Sequence, residues 1–167
     1  MPSMVDPTNA LMSFQEAFLR GGIPVQPCEV DDNLFVHFDE PIPGQWRCTY
    51  ALVNKKSVEA LAVYGPTDPY EGVMCVYTGY AVPPGLRNRG LAKSIVKLSL
   101  AELSACLGRN GFSEFYVEAV VGVDNIASQK VAAATLSQER QRSEDEHSGV
   151  AAFQYLKLVT CKQAVAS

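Results

Sequence analysis

The stretch from Gly72 to Leu107 constrains the fold of this chain more than any other. Gly72 to Val82 reads as a long strand, halted by Pro83-Pro84-Gly85. A helix follows from about Arg89 to Leu107. Leu91, Ile95 and Leu98 recur at helical spacing, with Val96, Leu100, Leu103 and Leu107 as a second stripe beside them. Two adjacent apolar stripes bury a wide helix face, as expected of a helix lying on a sheet. Such a unit needs further strands to complete that sheet.

The flanking sequence supplies them. Pro7-Thr8-Asn9 offers a cap for a helix over Ala10 to Arg20, which stops at Gly21-Gly22. Leu34 to Phe38 reads as a strand ended by a turn at Pro41-Ile42-Pro43-Gly44. Arg47 to Val53 and Val58 to Tyr64 form a hairpin through Asn54-Lys55-Lys56-Ser57, and Gly65-Pro66-Thr67-Asp68-Pro69 reads as a loop. After the long helix come a strand, Phe115 to Val121, and a short helix, Asn125 to Ala133. Leu136 to Arg142 and Val150 to Val159 are the last two strands, joined by the charged turn Ser143 to Gly149. The expected fold is α+β. It is one domain over residues 1–167, with an α/β mixed sheet of six to seven mostly antiparallel strands and helices on both faces.

Composition excludes more than it selects. A net charge of −4 gives no broad attraction to nucleic acid or to an anionic membrane. No segment approaches the roughly 20 apolar residues of a membrane span, and the N-terminus lacks a basic stretch leading into an apolar run, so a cytoplasmic location is expected. Cys28, Cys48, Cys75, Cys106 and Cys161 are scattered without a Cys-x-x-Cys pair, which reads as buried free thiols in a reducing compartment. The two histidines, His37 and His147, have no ligand-spaced partners, so neither a zinc site nor a Ser-His-Asp triad is indicated. His37, between Val36 and Phe38, reads as structural.

Between the long strand and the long helix lies Val82-Pro83-Pro84-Gly85-Leu86-Arg87-Asn88-Arg89-Gly90-Leu91-Ala92. A glycine at such a junction lets the backbone turn sharply and approach a ligand closely. The N–H groups of a first helical turn have no partner within the helix and suit a phosphate. Arg87 and Arg89 bring positive charge to the same place, where paired phosphates could accept charge-assisted hydrogen bonds. These residues describe a pyrophosphate-binding loop without separating a nucleotide from coenzyme A. The competing reading is a Pro/Gly turn carrying two solvated arginines. Neither Gly-x-x-x-x-Gly-Lys-Ser/Thr nor a Gly-x-Gly-x-x-Gly after a strand is present.

Arg87-x-x-Gly90-x-Ala92 resembles the Arg/Gln-x-x-Gly-x-Gly/Ala signature of the GNAT acetyltransferases, with Val82 and Pro84 matching its Val-x-Pro lead-in. Downstream, Val117-Glu118-Ala119, Val121 and Asn125-Ile126-Ala127-Ser128-Gln129-Lys130-Val131-Ala132 are similar to a stretch of the ribosomal-protein N-acetyltransferase branch. The resemblance spans Val82 to Ala132, and the rest agrees in element order. It implies a sheet that splays open beside the long strand. A pantetheine arm would pair with backbone near Tyr80 and Val82, and Arg87, Asn88, Arg89, Gly90, Leu91 and Ala92 would wrap the pyrophosphate. Asn125 and Ser128 would face the coenzyme from the following helix. Two positions depart from the family. Ala134-Thr135-Leu136 stands where it has Gly-Phe, and Ala132 where it often has a tyrosine, which bears on its common proton donor.

The activity implied is direct transfer of an acetyl group from acetyl-CoA to a primary amine in a ternary complex, with no metal. The amine could belong to a protein N-terminus, a lysine or a small molecule. Such transfer needs a neutral amine, an aligned thioester and a way to release the thiolate. Alignment supplies up to roughly 7–11 kcal/mol. Neutralising a lysine of pKa about 10.4 at pH 7 costs roughly 4–5 kcal/mol, against about 1 for an α-amine near 8. The resemblance places a glutamate at Glu118, the expected base, with Glu71 as a weaker candidate. Ser128 is the expected donor to the departing thiolate, with Tyr155 behind it. Trp46, Tyr50, Tyr64, Tyr77 and Tyr80 read mainly as sheet core, with one or two available to line an acceptor cleft. A non-catalytic acyl-CoA-binding or sensor protein of the same fold would bind without turnover. An interaction module that kept only the fold would leave Arg87 and Arg89 dispensable. No motif in Met1 to Gly44 or Ser143 to Ser167 names the acceptor, and a homodimer paired through the last strands is left open.

Overall fold

Residues 7–161 are described in the computed structural model, and they form three α-helices and one eight-stranded sheet. Along the chain these are α1 (Pro7–Leu19), β1 (Gln26–Pro27), β2 (Leu34–Ile42), β3 (Gln45–Asn54), β4 (Ser57–Tyr70) and β5 (Val73–Ala81). Then come α2 (Leu91–Arg109), β6 (Glu114–Gly122), α3 (Ile126–Thr135), β7 (Gln141–Glu144) and β8 (Ala151–Thr160). The sheet order is β1-β2-β3-β4-β5-β6-β8-β7. Every neighbouring pair is antiparallel except β5 and β6, which α2 joins as a parallel crossover.

Strand alternation sorts the core into two layers. Tyr50, Tyr64, Val76, Tyr80, Phe115, Val117, Ala119 and Tyr155 pack under α2 and α3 with Ile95, Val96, Leu103 and Ala132. On the opposite face Ala51, Leu61 and Ala81 meet Leu11 and Phe14 of α1. Both stripes foreseen on α2 are used. Buried polar groups on its inner side are paired, as burial requires. Tyr64 Oη and Ser99 Oγ lie 2.8 Å apart. The Glu102 carboxylate accepts from the backbone N–H groups of Glu29 and Val30, each at 3.2 Å, and so fastens the loop before β2 to α2. Glu102→Ala leaves those donors without their partner. The expected result is a loss of about 1–3 kcal/mol in urea unfolding, with a lower midpoint, an unchanged slope and a smaller loss for Glu102→Gln.

Three expectations are corrected. The sheet has eight strands rather than six to seven, because Gln26–Pro27 pairs with Val36 and Phe35 at the edge. The expected loop at Gly65 to Pro69 is the second half of β4, where Gly65, Pro66 and Thr67 pair with Tyr77, Val76 and Cys75. The pairing of β3 ends at Cys48↔Tyr64, so beyond it β4 is bonded on one side only among the described residues, and an edge tolerates proline. Finally, Leu136 to Arg140 is not strand. Leu136 is the C-cap residue of α3 and is buried with it, so its apolarity serves the helix, and β7 starts only at Gln141.

Candidate active site

The parallel rungs of β5 and β6 run from Cys75↔Tyr116 to Tyr77↔Glu118 and stop. Past that point β5 still pairs with β4 through Thr78, Gly79, Tyr80 and Ala81, and β6 still pairs with β8 through Ala119 to Gly122. The two central strands therefore part while each keeps its outer partner, leaving a wedge with unused backbone groups on both inner edges. A wedge with free backbone edges suits an extended ligand with amide groups.

At the mouth of the wedge stands the loop into α2. Pro84–Leu86 makes one 3-10 turn, and Gly90 then adopts φ +76° as the N-cap of α2. That left-handed conformation is easy for glycine and strained for other residues. Gly90 has no side chain to cap the helix, so the first-turn N–H groups of α2 stay available, in contrast to α3, where Asn125 Oδ1 accepts from Ser128 N at 3.1 Å. Arg87, Asn88 and Arg89 are exposed at this positive helix end, with Lys93 and Lys97 also exposed along α2. Arg87 Nε donates to the Val82 carbonyl at 3.2 Å, which ties the loop to the end of β5. Leu91 and Ala92, both half-buried, begin the helix.

The residues expected to carry chemistry fall on two sides of the sheet. Glu118 lies on the α1 face, between its inward neighbours Val117 and Ala119, and accepts from Gln154 Nε2 at 3.1 Å. Cys75, buried on the same face, is pushed up to about 12 by burial first and by the Glu118 charge second, so it remains a thiol. Tyr77, the lateral neighbour of Glu118, is 39% exposed and lies over Gly65, where any Cβ would overlap the ring. Beyond it Arg47 holds Asp39 through two hydrogen bonds of 2.9 and 2.6 Å and keeps that carboxyl below its usual range.

Ser128 is on the other side, in the first turn of α3, where its carbonyl accepts from Tyr80 Oη at 2.8 Å. That bond crosses from β5 to α3. Burial raises the Tyr80 hydroxyl well above its ordinary pKa and keeps it protonated. Glu118 and Ser128 therefore share no face, and the wedge beyond Tyr77 and Glu118 is where the sheet between them opens. Asn125, expected to face a coenzyme, uses its side-chain oxygen on the α3 cap. Glu71 is exposed in the turn between β4 and β5 at φ +49°, remote from the wedge, and Tyr155 is fully buried beside Ala119. His37 is structural, with Nδ1 2.8 Å from the Pro24 carbonyl. All five cysteines are free, and Cys28, Cys48, Cys75 and Cys161 are buried. Sequence reasoning missed the Tyr80–Ser128 bond. Alternation on β5 places Tyr80 toward α2 and α3, but nothing in the sequence says which backbone group its hydroxyl meets.

No family model and no curated protein matches this chain. Solved structures do. YncA, a putative acetyltransferase from Salmonella typhimurium with its cofactor acetyl-CoA, aligns with TM-score 0.50 at 15% identity, over 98% of this chain and 79% of that one. An acetyltransferase of the GNAT family from Streptococcus pneumoniae aligns with TM-score 0.50 at 11% identity, over 68% and 66%. RimL, a ribosomal L7/L12 alpha-N-protein acetyltransferase in complex with coenzyme A, aligns with TM-score 0.46 at 17% identity, over 70% and 64%. The chain thus spans less than two thirds of the length of the last two. At these identities the likeness is one of fold.

Proposed function

We propose that this chain, whose fold is that of the GNAT acetyltransferases, transfers an acetyl group from acetyl-CoA to a primary amine. The observation that carries the reading is the β5–β6 wedge opening onto an uncapped, cationic helix N-terminus. The free backbone edges of Thr78 to Val82 fit the amides of a pantetheine arm. Arg87, Asn88, Arg89, Gly90, Leu91 and Ala92 fit a pyrophosphate through N–H groups and charge. Bound acetyl-CoA supplies an activated acetyl thioester. Glu118, beside the last parallel rung, takes the proton of the attacking amine from the α1 face. Asn125 holds the first turn of α3, and Ser128 offers its hydroxyl to the departing sulfur from the other side. A protein N-terminus, a lysine and a small-molecule amine all meet these requirements.

Calorimetric titration of acetyl-CoA tests the reading. The wild type is expected to bind at micromolar Kd, and Arg87→Glu or Arg89→Glu to weaken binding by about tenfold or more, roughly 1.4 kcal/mol. A folded, monodisperse wild type that does not bind would overturn the proposal. A second reading, coenzyme binding without turnover, draws on Ala132, which is fully buried and brings no hydroxyl to a position where the family often has one. An amine screen followed by thiol release separates the two.

A further inference from the structure

The outer flank of α3 carries an organised group that acyl transfer leaves unused. Ser128 meets Tyr80, whereas Gln129 and Ala133 lie roughly 100–140° further round the helix. There Gln129, Lys130, Ala133, Arg140 and Tyr155 line a cavity of about 200 Å³. Gln129 Nε2 donates to the carbonyls of Gly122 and Val123 at 3.0 and 2.9 Å, which fixes the amide with Oε1 toward Arg140. That oxygen and Tyr155 Oη both accept from Arg140 Nη1, at 3.1 and 3.2 Å. The guanidinium also lies 3.7 Å from the centre of the Phe153 ring. Gln129 and Tyr155 are 7% and 1% exposed, so the supports are rigid.

These contacts use both Nη1 hydrogens. The Nε–Nη2 edge, two parallel N–H bonds, has no acceptor among the described residues. Nor does any carboxylate among them come within ion-pair distance of Arg140, Arg142 or Lys130. A guanidinium held only by neutral groups, with its forked edge unpaired, is arranged in advance to receive a carboxylate or phosphate. We propose that this cavity binds a small molecule through such an anionic group, at a site separate from the Arg87–Arg89 loop. The inference does not depend on the acetyl-transfer reading.

The test is a nuclear magnetic resonance titration of the nitrogen-15-labelled chain with inorganic phosphate and, separately, succinate, with chloride holding ionic strength constant. Saturable shifts at Gln129, Lys130 and Arg140 are expected with at least one probe, and the tighter probe assigns the group as phosphate or carboxylate. Arg140→Met should weaken that probe by about tenfold or more, and Arg140→Lys should weaken it too, because an ammonium cannot form the fork. Arg89→Glu should leave it unchanged. The same spectra show whether each variant is folded, and the lysine form keeps the test open if the methionine form is not. Shifts that never saturate with either probe would overturn the proposal. So would binding that survives loss of the guanidinium, or displacement of the probe by acetyl-CoA.

Discussion

Glu118→Gln is expected to lower kcat for acetyl transfer by about two to three orders of magnitude while leaving the affinity for acetyl-CoA unchanged. The glutamine is nearly isosteric, and its amide can still meet Gln154 Nε2, so the strand and its neighbours should stay in place. What disappears is the group able to take a proton at the point where β5 and β6 separate. The wild-type rate should vary little with pH. The variant rate should instead climb with pH along the acceptor's own titration. The size of the loss also reports on the acceptor. A lysine needs roughly 4–5 kcal/mol to lose its proton at pH 7, an α-amine near pKa 8 only about 1, so a small loss that vanishes by pH 9 favours the α-amine. Steady-state rates between pH 6 and 9 read all of this. A loss under about threefold at every pH would remove Glu118 from the mechanism, since general bases contribute far more.

Phe115→Ala is expected to cost about 3–5 kcal/mol of unfolding free energy, the largest single-residue loss predicted for this chain. Phe115 is 0% exposed, pairs with Val159 and belongs to the layer beneath α2, where the close-packed sheet cannot collapse onto the space left. Against a typical total of about 5–15 kcal/mol, that threatens the folded population itself. Thermal unfolding should fall by roughly 6–20 °C at about 2–4 °C per kcal/mol. Leu158→Ala provides the contrast. Leu158 lies nearby on β8 but is 44% exposed, and its loss should stay within about 0.5 kcal/mol. Equal losses at both positions would mean that the burial pattern of β6 and β8 is misassigned.

The strand-loop-helix unit from Val73 to Arg109 was legible in the sequence because its signals are local. Pro83, Pro84 and Gly90 act through their own backbones, and the stripes of α2 repeat every turn. The same holds for Gln45–Asn54 and its partner strand, since a hairpin pairs residues close in sequence. Misreadings arose where a distant partner decided the outcome. Gly65 to Pro69 has the composition of a loop and is strand because β5 pairs with one side of it and, among the described residues, no strand occupies the other. Leu136 has the look of a strand residue and is buried as the end of a helix.

The candidate site divides along the same line. Sequence alone determined the glycine turn and the positive charge of Arg87 to Ala92, because both are held within one short segment. It also placed Glu118 on a strand and Ser128 on the helix after it. Tertiary structure alone decided that these two lie on opposite faces with the β5–β6 wedge between them, that Tyr80 reaches across to Ser128, and that Arg140 is held by Gln129, Tyr155 and Phe153. The reason is physical: a backbone turn is fixed by the residues within it, whereas the end of a parallel ladder and the partner of a side chain depend on segments that meet only once the sheet has formed.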